Sequence, residues 1–377
     1  MVPAKSWIEI DRAAYTENLH AIESRLKDGV TLCVVVKANA YGHDTATIVD
    51  LALAQGVRHF GVDSIDEAIV VRKRSADAII FILGYTVCER LTDVVAYETI
   101  QTVYTGRSIS LLAEEARRQQ MIAQVNLKVE TGTNRQGVGE SDLKHLLADI
   151  ERNRDVLSLV SVSSHFSSSE DLSKSEVTVE QNARFSDALG VIERFGFEPM
   201  YKHISCSAST LLYPETQHTM VRVGLAQYGL WSSEALKQAL LGHVELTPVL
   251  SWKARIAQIK DVPTGVPIGY GQSFIGDRPL RIAIIPVGYY DGYTRLFKNK
   301  AYVLVKGQKC RVIGSICMNM CMVDVSAVPG IQEGDIVTLL GRDSMNIVRA
   351  DDLAQWMGTI NYEIPTMIKS HLPRVVV

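Results

Sequence analysis

Nothing in the 377 residues supplies a membrane-spanning run, a disulfide framework or a surplus of positive charge. No apolar stretch approaches the ~20 residues that a spanning helix needs, and the N-terminus lacks the charged-then-apolar layout of a signal peptide. Six cysteines (Cys33, Cys88, Cys206, Cys310, Cys317 and Cys321) are scattered without regular spacing. In a chain this long that reads as free thiols in a reducing compartment, so the cytoplasm is the expected location. The chain starts almost directly on structure, which also fits the cytoplasmic domain of a longer, membrane-attached protein. Cys317 and Cys321 form C-x-x-x-C, but no second Cys or His pair lies at zinc spacing, so buried strand thiols are expected rather than a metal site. Lys and Arg number 39 against 42 Asp and Glu. The densest basic cluster, Arg72-Lys73-Arg74, reads as the exposed face of a helix, and a nucleic-acid partner is not expected. Internal repeats and low-complexity tracts are lacking too.

What is present is core-forming sequence: 47% of residues are hydrophobic and 21% charged. The length suits a barrel of about 240 residues with a smaller partner domain. From residue 31 to about 225, short β-branched runs alternate with helical patterns. Strands are expected at 31–36, 57–62, 78–83, 100–104, 123–129, 157–165, 201–206 and 220–223, with helices such as 44–55, 109–120, 142–152 and 178–194 between them. Eight such repeats favour a closed (β/α)8 barrel over residues 1–240. Beyond it, strands at 250–260, 281–286, 302–305, 311–316 and 336–340 are punctuated by Pro263, Gly265, Gly307, Pro329, Gly330 and Gly334. Residues 241–377 therefore read as an all-β domain ending in a helix near 350–357.

Active residues of such barrels sit at the C-terminal ends of the strands. Reading those ends in turn gives Lys37, then Lys128 with the loop carrying Asn134 and Arg135, then His165, Ser205-Cys206-Ser207, and Arg222 with Gly224. A lysine closing the apolar run Leu32–Val36 would hold a partly desolvated, nucleophilic amine. It could equally be a solvated strand terminus. His165 could be a satisfied core histidine, Arg222 an ion-pair partner, Ser207 a helix cap and Gly224 a turn glycine.

Val36-Lys37-Ala38-Asn39-Ala40-Tyr41-Gly42-His43 closely resembles the cofactor-lysine motif of the alanine racemase family. The similarity extends over nearly the whole chain: Trp7–Asp11, Lys128–Gly137, Ser164-His165-Phe166, Ser205–Ala208, Val221–Gly229, Gly269-Tyr270-Gly271, Pro286–Tyr289, Cys317-Met318 and Thr359–Glu363. The resemblance implies bound pyridoxal 5'-phosphate and a head-to-tail homodimer whose active sites borrow residues from the partner. Lys37 would carry the cofactor as a Schiff base and serve as base on one face of the substrate, with Tyr270 of the other subunit serving the opposite face. Two bases are what racemisation requires, because the proton leaves Cα from one side and returns on the other. On the same grounds Arg222 would donate to the pyridine nitrogen, and Ser207, Gly224, Leu225, Tyr41 and Tyr362 would hold the phosphate. Arg135 would reach the cofactor's phenolic oxygen and the substrate carboxylate, with His165 bonded to Tyr270 or Arg222. Lys128 matches a lysine that some members carry as a carbamate. Tyr289, Met318 and Asn319 would line the substrate entrance. Without the resemblance, Tyr270 would read as an ordinary turn residue.

Three features depart from the family's usual pattern or add polarity: Thr133 for an apolar residue, Asn319 for an aspartate, and Asn361 beside Tyr362. Cys206 also replaces a common asparagine. The added hydrogen-bonding capacity raises the expectation that L-serine is a substrate beside L-alanine, and even the preferred one, and the pattern resembles the serine racemase domains of vancomycin-resistance systems. Either activity would supply D-amino acid for peptidoglycan precursors. The rival readings are a barrel-plus-β-domain pyridoxal-phosphate decarboxylase and a non-catalytic pyridoxal-phosphate carrier. The first would carry a glutamate opposite the pyridine nitrogen, and the second would lack residues 241–377.

Overall fold

The computed structural model describes residues 4–377. Contacts divide the chain into two units. One takes the described residues up to Ala14 with Tyr41–Asp44 and Pro248–Val377, and the other takes Tyr15–Ala40 and Thr45–Thr247. The sequence pattern put residues 1–240 together, but the first strand, β1 (Ser6–Ile10), pairs antiparallel with β10 (Leu250–Arg255). A short apolar run marks a strand without naming a partner more than 200 positions away.

The larger unit is the barrel. Its strands are β2 (Thr31–Val35), β3 (His59–Val62), β4 (Ile79–Ile82), β5 (Ile100–Val103), β6 (Ala123–Lys128), β7 (Leu157–Ser163), β8 (Tyr201–His203) and β9 (Met220–Val223). All are parallel, in the order β8-β7-β6-β5-β4-β3-β2-β9. The ring is nearly closed: between β9 and β8, Arg222 N–H donates to Ser205 O at 3.1 Å and Thr219 N–H to Lys202 O at 3.2 Å. Strands buried on both faces need continuous apolar, β-branched runs, and Thr-Leu-Cys-Val-Val of β2 supplies one. The covering helices show one-sided apolar spacing. Helix Gly106–Gln119 buries Ile109, Leu112, Ala113 and Ala116, and its start is capped by Thr105 Oγ1 accepting from Ser108 N–H.

Inside the ring, character changes along the strands. Cys33, Phe81, Ile100 and Met220 form an apolar cluster, with Tyr201 of β8 packed against it. Two residues further along β5, β8 and β9 lie Thr102, His203 and Arg222, all buried. Alternation on a strand returns the side chain to the same face, so these polar groups stack above the apolar cluster toward the C-terminal rim. The expected strand 157–165 stops at Ser163 and leaves His165 in the following loop.

The smaller unit continues with β11 (Gln258–Val262), β12 (Pro267–Ile268), β13 (Phe274–Ile275), β14 (Leu280–Ile285), β15 (Tyr302–Val305), β16 (Gln308–Ile313), β17 (Cys321–Asp324), β18 (Ile336–Asp343), β19 (Asn346–Val348) and β20 (Arg374–Val376). One ten-stranded, mostly antiparallel sheet runs β11-β14-β17-β16-β15-β18-β10-β1-β20, with β19 on β18; β12 and β13 form a separate hairpin. The expected single strand 250–260 is two. At Ile256 and Ala257 the backbone changes neighbours, bonding Asp335 O and then Ile284 O, so the chain passes from beside β18 to beside β14. Of the C-x-x-x-C pair, Cys321 opens β17 and is buried, while Cys317 is half-buried in the preceding loop, so only one is a strand thiol.

Candidate active site

Lys37 follows fully buried Val36 at the end of β2. Its amine lies 3.8 Å from Asp63 at the end of β3, an exposed and therefore weak pair. The chain then turns through four consecutive left-handed residues, Ala38, Asn39, Ala40 and Tyr41, with φ of 51–54°. None is glycine, and each is in a conformation that L-residues disfavour. Ala40 N–H donates to Val36 O at 2.9 Å and Thr45 N–H to Asn39 Oδ1 at 3.1 Å, which closes the turn locally.

Arg222 is a charged residue of the barrel interior, 6% exposed on β9. Its guanidinium donates to His203 Nδ1 and O, to Ser164 O at 2.7 Å, to Ile204 O and to His165 Nδ1 at 3.3 Å. Burial lowers its pKa to about 10, so it stays protonated at neutral pH. Arginine has only donors, so both histidines must accept at Nδ1 and carry their proton on Nε2. The direction then propagates. His203 Nε2 donates to Ser161 Oγ at 2.8 Å, Ser161 donates to Asn126 Oδ1 at 2.8 Å, and Asn126 Nδ2 donates to Thr102 Oγ1 at 3.0 Å and Ser163 Oγ at 2.9 Å. Burial first, and neighbouring cations second, hold both histidines well below the usual imidazole range.

Lys128 closes β6. Burial, then Arg222, Arg135 and Lys37, push its pKa well below that of an ordinary lysine, and only Glu130 opposes them. Arg135 lies exposed on the loop that follows. That loop is pinned at its ends by Glu130 N–H to Val138 O and Val138 N–H to Lys128 O, and the Glu130 carboxylate inside it accepts from Gly132 N–H at 2.5 Å. Despite partial burial, loop N–H groups hold Glu130 below the usual carboxylate range. Thr133 Oγ1 donates to His165 O at 2.6 Å. Buried Gln181 reaches the same oxygen at 3.2 Å and accepts from Ser167 N–H at 2.9 Å, tying the arginine loop to the histidine loop.

After β8 and β9, Gly224 N–H and Ala226 N–H donate to Ser207 Oγ at 3.1 and 3.2 Å, leaving Ser207 its hydroxyl hydrogen to donate. Leu225 lies buried between them. The barrel rim thus combines Lys37, Lys128, Arg135 and Arg222 with two neutral histidines and the Ser207 hydroxyl. Such a set fits an anionic group bearing a phosphate at one end and a hydrogen-bond acceptor at the other.

The remaining expected residues lie on the smaller unit. Tyr41 precedes Gly42 (φ 84°), where an added Cβ would overlap the carbonyl of Pro365. That close approach sets the Tyr41 segment against the helix Glu363–Met367, which begins right after Tyr362. Tyr289 and Met318 are brought together as well. Tyr289 N–H donates to Cys317 O and Tyr290 N–H to Met318 O, and Gly288 has no room for a Cβ against those two carbonyls. Asn319 is exposed on the same loop, and Asn361 Nδ2 donates to Asp351 at 2.8 Å. Tyr270 is 75% exposed, its carbonyl held by Ser315 Oγ at 3.1 Å. Sequence reasoning missed His203, Asn126, Ser161, Gln181 and Glu130. Inward parity with Arg222 and Lys128 could have found the first three; Gln181 and Glu130 act through backbone groups and leave no such mark.

Among the described residues no helix is long and apolar enough to cross a membrane, and no group of three His, Cys, Asp or Glu side chains could hold a metal ion. Residues 10–232 match the family model for the alanine racemase N-terminal domain, and residues 249–376 match that for the alanine racemase C-terminal domain. The alanine racemase of Leptospira interrogans serovar Lai is 36% identical over 381 residues, covering 99% of this chain and 96% of the relative. Solved alanine racemases superpose closely. The Clostridium difficile enzyme has a TM-score of 0.93 at 30% identity, covering 100% of this chain and 97% of that one. The Bacillus anthracis enzyme with bound L-Ala-P reaches 0.94 at 28% identity, covering 100% and 96%.

Proposed function

From the premise that the chain belongs to the alanine racemase family of pyridoxal-phosphate-dependent amino-acid racemases, we propose that it interconverts L- and D-alanine, and more slowly L- and D-serine, with Lys37 and Tyr270 of the partner subunit as the two bases. The observation that carries the reading is the donor-only Arg222 toward the barrel rim, whose charge acts on Lys128 together with those of Arg135 and Lys37.

Lys37 would hold the cofactor, Arg222 would donate to its ring nitrogen, Arg135 would face its phenolic oxygen, and Ser207, Gly224, Leu225, Tyr41 and Tyr362 would bind its phosphate. Bound pyridoxal phosphate supplies the electron sink that acidifies the substrate's Cα proton. Because Arg222 remains protonated, it donates rather than accepts, which moderates that sink and disfavours side reactions. Lys37 takes or returns the proton on one face, and Tyr270 of the partner subunit does so on the other. Tyr289, Met318 and Asn319 line the approach. The exposure of Tyr270, Tyr289 and Met318 supports a homodimer in which these residues face the neighbouring subunit. Lys128, whose charged form is disfavoured by burial and then by Arg222, Arg135 and Lys37, is suited to take up carbon dioxide as a carbamate whose charge would offset its neighbours; the mass of its peptide tests this. The product would feed peptidoglycan precursors in the cytoplasm, a compartment that the free thiols suit.

The test is a racemase assay with L-alanine and L-serine in deuterated water on the purified holoenzyme, beside Lys37→Ala. Wild type should wash deuterium into Cα of both enantiomers, and the variant should lose both activity and visible cofactor absorbance. Wild type without exchange, or a borohydride-reduced linkage mapping to another lysine, refutes the reading.

A further inference from the structure

Helix Ile65–Arg74 opens with Ser64, whose hydroxyl accepts from Glu67 N–H at 3.4 Å. In the usual reciprocal arrangement the glutamate would return to the N–H of that same serine. Glu67 does not. Its Oε2 accepts from Asp63 N–H at 2.8 Å and its Oε1 from Ala38 N–H at 2.7 Å. One carboxylate therefore joins the ends of the adjacent barrel strands β2 and β3.

Both amides matter to Lys37. Ala38 is the first residue of the left-handed turn and the peptide neighbour of the lysine. The leading N–H of any helical turn has no acceptor within it, and here the acceptor comes from a charged group, the stronger kind. Asp63 is the residue whose carboxylate faces the Lys37 amine. On its other side Asp63 is held by Gly84, whose N–H donates to Asp63 O at 3.1 Å and which has no room for a Cβ against that oxygen. We propose that Glu67 is a positioning residue for Lys37: its carboxylate clamps the backbone on which the lysine pivots and the residue that pairs with its amine. A lysine that alternates between holding a cofactor and moving a proton needs a fixed backbone while its side chain swings, and four successive left-handed residues do not fix themselves. The proposal rests on the reading of Lys37 as the cofactor-bearing base.

The experiment compares holoenzymes of wild type, Glu67→Gln and Glu67→Ala by site-resolved amide hydrogen exchange, borohydride reduction of the Lys37 linkage, and alanine kinetics. The glutamine side chain of the first variant would retain one acceptor and turn a donor toward the second N–H, so it is isosteric but half-clamped; it serves if the alanine variant does not fold. At least one of the Ala38 and Asp63 amides should exchange about ten- to a hundredfold faster, with amides of β6 and β7 unchanged. Reduction of the linkage should quicken, and kcat should fall by about tenfold with KM moving far less, as expected for misplaced proton transfer rather than lost binding. Unchanged exchange at both amides overturns the clamp. Faster exchange with unaltered reduction rate and kcat overturns the positioning role and leaves Lys37 as assigned. Reduction that labels a different lysine in wild type overturns the reading of Lys37 itself.

Discussion

Thr133 donates its hydroxyl to His165 O at 2.6 Å, and Asn361 gives its amide to Asp351 at 2.8 Å. Two of the three polar features that pointed toward serine thus have partners within the fold, and neither is idle capacity awaiting a substrate hydroxyl. Discrimination between substrates differing by one hydroxyl stays weak, about 1–3 kcal/mol, when a pocket merely tolerates the group. Serine should therefore be accepted without being preferred. It follows that Thr133→Val should leave the serine-to-alanine ratio of kcat/KM within about twofold of wild type while costing about 1 kcal/mol of stability for the lost loop bond. Gln181 still reaches the same carbonyl at 3.2 Å, so the histidine loop keeps one tether. A selective collapse of serine turnover in this variant would restore Thr133 to the substrate pocket.

The elements were legible in unequal degree. Barrel strands and helices announce themselves through β-branched runs and one-sided apolar spacing, and strand-end positions alone yielded Lys37, Lys128 and Arg222. The left-handed turn at Ala38–Tyr41 was not legible, since three of its four residues are alanine or asparagine with no glycine before Gly42, and tertiary bonds hold what local preference opposes. Nor was the pairing of β1 with β10, which depends on a partner far along the chain. The buried chain from Arg222 through His203 and Ser161 to Asn126 was hidden because Ser, Asn and Thr in strands usually read as surface. Its directionality makes a prediction. Asn126→Leu removes the donor for the buried Thr102 and Ser163 hydroxyls and the acceptor for the Ser161 hydroxyl hydrogen, leaving Ser161 only its bond from His203. Thermal unfolding of the holoenzyme should show a loss of about 2 kcal/mol or more, and a neutral result would mean that the chain is not a unit. Burial first, and neighbouring cations second, favour the neutral forms of His203 and of His165 beside it. Their folded pKa values lie well below the ordinary 6.5, so below that pH the unfolded chain binds protons that the folded one refuses. Stability should accordingly be complete above pH 6.5 and decline as pH falls below it, by up to about 2.7 kcal/mol per pH unit for two such groups. Urea midpoints that stay level between pH 7.5 and 5.5 would contradict neutral histidines.

At the scale of the whole molecule the question is where the second base comes from. Lys37 belongs to the barrel and Tyr270 to the β unit, where it is 75% exposed beside a surface that also bares Tyr289, Tyr290, Met318 and Met320. Exposed aromatic and methionine side chains gathered in this way mark a contact surface more often than a solvated one. A closed two-fold dimer would use that surface twice and make two equivalent sites. If each site takes Lys37 from one subunit and Tyr270 from the other, subunit mixing has a calculable result. In a heterodimer of Lys37→Ala with Tyr270→Phe, one site lacks both bases and the other has both intact. Random exchange of equal amounts makes half the dimers mixed, so about a quarter of wild-type activity should return. Were both bases supplied by the same chain, each site in the heterodimer would lack one of them, and activity could not exceed the mean of the two parents. Mixing the two inactive proteins, confirming exchange by native mass spectrometry and assaying alanine racemisation separates the cases: recovery toward a quarter supports shared sites, and the parental mean excludes them.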